Sequence, residues 1–155
     1  MYSETLIPVS WRARPRSFVA LMSLYESNYI RLRELCGSPA RLRGEYRSHV
    51  VDDCDLLLSV TEQAPYTTTM SLTCLLAGPG TAHPQGQPER FPDVAIRVYS
   101  DARLAEAQYW VEQPRHPTLK ALRRQAEREL DQRWAVNMML NKWLDYCMEL
   151  GHRFA

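Results

Sequence analysis

The sequence predicts an α+β fold: an antiparallel sheet of four or five strands, with an N-terminal helix and a long C-terminal helix packed on it. Three observations carry this reading. Residues 18–36 repeat apolar side chains at steps of three and four, the helical period. Residues 42–111 alternate between apolar and polar with period two, interrupted by turn residues. Residues 119–150 return to the helical period, so helices flank a run of strands.

The first helix has Ser17 as a plausible N-cap and Gly37 and Pro39 as its stop. Its apolar stripe is Phe18, Leu21, Met22, Tyr25, Tyr29, Leu32 and Cys36, with Asn28 outside it. A weakly alternating strand is predicted over 42–51. A strong one follows over 56–62, then a turn around Pro65 and a strand over 67–76, with Met70, Leu72, Cys74 and Leu76 on one face. Pairing Leu58 with Leu72 and Val60 with Met70 keeps the apolar faces together and needs an odd-sized loop. It sets Glu62 opposite Thr68, on the apolar side.

Residues 77–92 are rich in Gly and Pro and read as a mobile surface loop. Strands over 93–100 and 104–111 close a second hairpin that pairs Val98 with Ala105, Ile96 with Ala107 and Val94 with Tyr109 on the core face. Arg97 and Glu106 face each other on the opposite side, with Tyr99, Gln108 and Trp110. Thr118 is a natural cap for the last helical region, read as one long helix or two with a break. Its clearest face is Val136, Met139, Leu140, Trp143, Leu144, Cys147 and Leu150, with Gly151 as its stop. Residues 1–16 read as a flexible arm, 17–151 as a single domain and 152–155 as a tail.

The bulk numbers narrow the function classes. At 155 residues the chain fits one domain, and 45% apolar with 24% charged residues is globular composition. A net charge of +1 gives no electrostatic footprint for nucleic acid. Arg12, Arg14 and Arg16 and the Lys120, Arg124, Arg128 row are read as solvated, the row being interleaved with Glu127, Glu129 and Asp131. There is no signal-peptide pattern and no apolar run of about 18 residues, so a cytoplasmic protein is expected.

Motifs for chemistry are missing. His49, His83, His116 and His152 have no metal-ligand spacing and are read as surface residues, so neither metal nor cofactor is expected. The glycines of 78–80 lack phosphate-loop spacing, and there is no GxSxG elbow. Cys36, Cys54, Cys74 and Cys147 form no CxxC pair and are read as packing residues. What remains is a set of polar residues at strand ends: Glu62, Tyr66, Thr67, Thr68, Arg97, Tyr99, Asp101 and Glu106. Turns and cross-strand pairing account for many of them; a binding site on one sheet edge or face is the functional alternative.

Four stretches, in order, carry a resemblance: residues 24–35 (LYESNYIRLREL), 60–69 (VTEQAPYTTT), 96–102 (IRVYSDA) and 143–147 (WLDYC). Together they resemble the YqiB family, small gammaproteobacterial proteins classed as a domain of unknown function. The resemblance implies a cytosolic bacterial protein and matches Glu62, Tyr66, Thr67, Thr68, Arg97, Tyr99 and Asp101 to the family pattern, without catalytic residues. Genes of that family often neighbour those for nucleotide-cleaving enzymes, which points towards nucleotide metabolism by association alone.

The expected function is a non-enzymatic binding or regulatory module for a protein partner or a small anionic ligand, with Glu62, Tyr66, Thr68, Arg97, Tyr99, Asp101 and Glu106 as its binding residues. An enzyme acting on a nucleotide or phosphoester, with Glu62 or Asp101 as base, is the rival reading. A nucleic-acid-binding protein is the third.

Overall fold

Ser17 accepts a hydrogen bond from the Ala20 amide at 3.0 Å and starts the first helix, α1 (Phe18–Cys36). The computed structural model describes residues 17–75, 93–128 and 131–154. The arm 1–16 with its three arginines, the loop 77–92 with His83, Leu76, and Glu129 lie outside the described residues. Gly37 ends α1 with a φ of 76°, open to a residue without Cβ.

The buried face of α1 is rotated from the expected stripe. Phe18 is 75% exposed, whereas Asn28 is fully buried beside Leu24, Leu32 and Leu35. The reason lies at the sheet edge, described below. A 3-10 turn (Pro39–Arg41) then leads into a five-stranded antiparallel sheet in simple sequential order. Its strands are β1 (Glu45–Ser48), β2 (Asp55–Gln63), β3 (Thr67–Leu75), β4 (Val94–Tyr99) and β5 (Leu104–Trp110). The first strand is shorter than expected, and Gly44, with φ 75°, sits just before it.

Both hairpin registers hold in their middles. Leu58 faces Leu72, Val60 faces Met70, Ile96 faces Ala107 and Val98 faces Ala105. Each slips by one residue at a bulge. Between Val60 and Glu62 the extra residue is Thr61, whose hydroxyl donates to the Thr69 carbonyl at 3.1 Å. Glu62 therefore faces Thr69, not Thr68, on the non-core face. Gln63 takes the inward place and donates to the Pro39 and Leu42 carbonyls at 3.1 and 3.0 Å. Between Ala95 and Ile96 the register also shifts, so Val94 faces Trp110 instead of Tyr109. Trp110 is buried and donates from Nε1 to the Val136 carbonyl at 3.0 Å, while Tyr109 is 56% exposed.

The C-terminal region is two helices, α2 (Pro117–Glu127) and α3 (Gln132–Glu149). His116, not Thr118, caps α2: its Nδ1 accepts from the Thr118 amide at 3.1 Å. Asp131 caps α3 by accepting from the Arg133 and Trp134 amides at 3.1 and 3.2 Å. Gly151, with φ 95°, follows the end of α3. One core of Leu32, Leu35, Leu56, Leu58, Met70, Leu72, Ile96, Val98, Leu140, Trp143 and Leu144 joins α1, α3 and one sheet face.

β5 is an edge strand, and its outward backbone groups need partners. Asn137 Oδ1 accepts from the Ala107 amide at 2.8 Å, and Asn28 Nδ2 donates to the Ala105 carbonyl at 3.4 Å. Asn141 holds Asn28 Oδ1 from the other side at 3.0 Å. This amide chain explains why α1 turns Asn28 inward, and it closes the edge against a further strand. Among the described residues no helix is long and apolar enough to cross a membrane.

Candidate functional site

The sheet registers place four side chains in one row on the non-core face: Glu62 on β2, Thr69 on β3, Arg97 on β4 and Glu106 on β5. Neighbouring strands lie about 4.8 Å apart, so adjacent members of the row are in side-chain reach. Tyr99 sits two residues beyond Arg97 on the same face. The expected Arg97–Glu106 pairing is present in the register.

Glu106 is held by phenols. The Tyr99 hydroxyl donates to Glu106 Oε1 at 2.7 Å. Burial raises the Tyr99 pKa, the bond to Glu106 and its charge add to this, and Arg97 opposes them. Tyr25, from α1, has its pKa pushed up to about 12, first by burial and then by the Glu106 charge and hydrogen bond, against Arg133. The half-buried Arg97 keeps its Nε buried without a hydrogen-bond partner among the described residues. A guanidinium presents five donors in a fixed fork suited to carboxylate or phosphate oxygens.

The other expected site residues do not converge with this group. Glu62 is exposed at the far end of the row, and Tyr66 is 67% exposed in the β2–β3 turn. Asp101 accepts from the Ala102 amide at 3.0 Å within its own turn, as the turn reading anticipates. Thr68 is fully buried on the core face, bonded to Gln63 and the Pro39 carbonyl, and belongs to the scaffold.

A second polar cluster lies on the opposite side of the molecule's logic: it is buried and internally complete. Asp53, just before β2, accepts from His116 Nε2 at 2.7 Å through Oδ1 and from His152 Nε2 at 3.2 Å through Oδ2. The expectation of surface histidines fails here, because His116 is 5% and His152 1% exposed; His49 stays at the surface, on Asp55. His152 Nδ1 meets Ser48 Oγ at 2.9 Å, and Ser48 Oγ also accepts from the Arg153 amide at 2.9 Å. Burial raises the Asp53 pKa, but the bonds from His116, the Cys54 backbone and His152 outweigh it, and the carboxyl ends below its ordinary value. Ser48, His152 and Asp53 are the residue types of a nucleophile triad. Ser48 is nonetheless 4% exposed, with its oxygen committed to the Arg153 amide, so it faces no substrate.

Asp53, Cys54 and His116 bring three ligand-type atoms within 4.8 Å of one another. The imidazole does not fit a cation there. The Thr118 N–H donates to His116 Nδ1, so the ring proton sits on Nε2 and goes to Asp53. A neutral histidine ligating through Nε2 carries its proton on Nδ1, directly against that amide. The cluster is a hydrogen-bonded clamp.

The model of the family described as "Protein of unknown function (DUF1249)" matches residues 31–153. The chain belongs to that family. No curated protein and no solved structure matches it. The DUF1249 span contains the whole Arg97 row and the whole Asp53 clamp, whereas Tyr25 and Asn28 precede it.

The thiols support the reading of packing over chemistry. The Cys74 pKa is raised well beyond its ordinary range by its hydrogen bond with Cys54, by burial and by Asp93. Burial, then Asp53 and Cys54, raises Cys147, and burial alone pushes Cys36 to about 12. A nucleophilic cysteine needs the opposite shift. The sequence reading missed the clamp because its members are separated by 63 and 99 positions. The one local signal was His116 directly before Pro117, a cap position followed by a first-turn proline.

Proposed function

We propose that this member of DUF1249 is a non-catalytic binding module, a bacterial cytosolic protein of the YqiB type, whose sheet face grips an anionic group of a small ligand or protein partner. The observation that carries the reading is the buried, unpartnered Nε of Arg97 in a row flanked by Thr69 and Glu106. A buried donor without an acceptor is costly, and because Arg97 as a whole is only half-buried, a carboxylate or phosphate from solvent can pair with the accessible part of its guanidinium and offset that cost. Tyr99 and Tyr25 fix Glu106, so the anionic neighbour of Arg97 stays in place and the ligand meets a shaped site.

The test is a thermal-shift series with pyrophosphate, citrate and a nucleoside diphosphate on the parent chain, Arg97→Ala and Arg97→Lys. A true ligand at 100-fold over its Kd adds about 2.7 kcal/mol to the parent. Arg97→Ala removes that gain, and Arg97→Lys restores little of it because an ammonium lacks the two-pronged grip. A ligand that stabilises Arg97→Ala as much as the parent sinks the proposal.

A further inference from the structure

A groove of about 320 Å³ opens between α2 and α3. Its lining is mixed: Leu122 on α2 and Trp134, Met138 and Met139 on α3 are apolar, whereas Gln125, Arg128 and Lys142 are polar. Ala126 and Ala135 line it with single methyls, leaving the hollow that larger side chains would fill. Leu122 and Met138 remain half-buried in consequence. Two cations, Arg128 and Lys142, stand at the lining, and among the described residues it contains no carboxylate. Lys142 Nζ donates to Gln125 Oε1 at 3.3 Å, a long bond that an ionised acceptor can replace.

An apolar body laid against Leu122, Met138 and Met139 takes apolar surface out of water at a gain. The two cations select what that body carries. Ligand pockets run from about 300 to 1,000 Å³, and this one is at the small end, which suits a medium-length chain. Methionines adapt their shape to such a guest. We infer that the α2/α3 groove binds a small amphiphilic anion, a monocarboxylate with an apolar tail of medium length. This site is separate from the Arg97 row, and neither depends on the other.

Calorimetric titration of the full chain with octanoate, octanol and acetate, all below micellar concentration, tests it. Octanoate binds one per chain, octanol binds at least about tenfold more weakly for want of the charged contact, and acetate gives no detectable heat. The double variant Arg128→Gln/Lys142→Gln changes exposed residues and brings octanoate down to the affinity of octanol. Met138→Trp fills the hollow and abolishes binding of both. Arg97→Ala leaves octanoate binding as it was. The inference is overturned if octanoate gives no heat, if the double variant binds it as the parent does, or if Arg97→Ala is the variant that loses it.

Discussion

His116 donates from Nε2 to Asp53 at 2.7 Å while its Nδ1 receives the first free amide of α2. One neutral ring thus joins the mouth of β2 to the start of α2, and it packs edge-on against Trp143 with ring centroids 5.0 Å apart. His116→Ala removes the cap, the carboxylate's donor and the ring contact together. It is expected to cost about 2–4 kcal/mol, and His116→Asn should recover about 1 kcal/mol through the cap alone. Urea denaturation of both variants measures this. Equal losses for Ala and Asn would show that the cap contributes nothing.

Asn137 carries the edge of β5, since its Oδ1 is the acceptor of a buried strand amide and its Nδ2 donates to the Arg133 carbonyl at 2.9 Å. Asn137→Ala strands the Ala107 N–H and loosens Asn28. The expected loss is about 1–3 kcal/mol, the cost of a buried donor without acceptor. Urea denaturation measures it; a variant as stable as the parent refutes the role.

The sequence made the middles of the hairpins legible because alternation and charge pairing act locally: Leu58 opposite Leu72 and Arg97 opposite Glu106 follow from period two alone. The ends were not legible. A bulge at Thr61 or beside Gln108 costs local pairing and is decided by distant partners, the Pro39 and Leu42 carbonyls for Gln63 and the Val136 carbonyl for Trp110. Periodicity likewise read Asn28 as a surface residue, because only the position of β5 gives its amide a buried use. The Arg97, Tyr99 and Glu106 part of the candidate site was readable from one strand pair, whereas Tyr25 enters it from a helix whose approach no strand pattern encodes.

The bulge in β5 has a direct test in the pair Tyr109 and Trp110. Tyr109→Ser touches an exposed side chain and should change stability by no more than about 0.5 kcal/mol. Trp110→Ala empties a core position and removes the bond from Nε1 to the Val136 carbonyl, for about 3–5 kcal/mol. Melting of both variants decides between registers: the unbulged pairing, with Tyr109 inside, requires the reverse order.

Asp53 and Asp93 have opposite pH signatures. Asp53 is held below its ordinary pKa by its hydrogen bonds, so its contribution is present above the unfolded value of about 3.9 and is lost as pH falls through the lower folded value. Asp93 is raised, first by burial and against its bonds with Cys74, whose amide donates to it at 2.6 Å. Its contribution is complete below about pH 3.9 and is lost as pH rises through the higher folded value. Urea midpoints from pH 2.5 to 7 separate the two. Asp53→Asn should lower stability at neutral pH, since one histidine loses its acceptor, and should flatten the acid limb. Asp93→Asn keeps the acceptor oxygen for the Cys74 amide without the buried charge, so its stability relative to the parent should improve as pH rises. Parallel curves for parent and Asp93→Asn across that range would show that the fold does not raise the Asp93 carboxyl above its ordinary value.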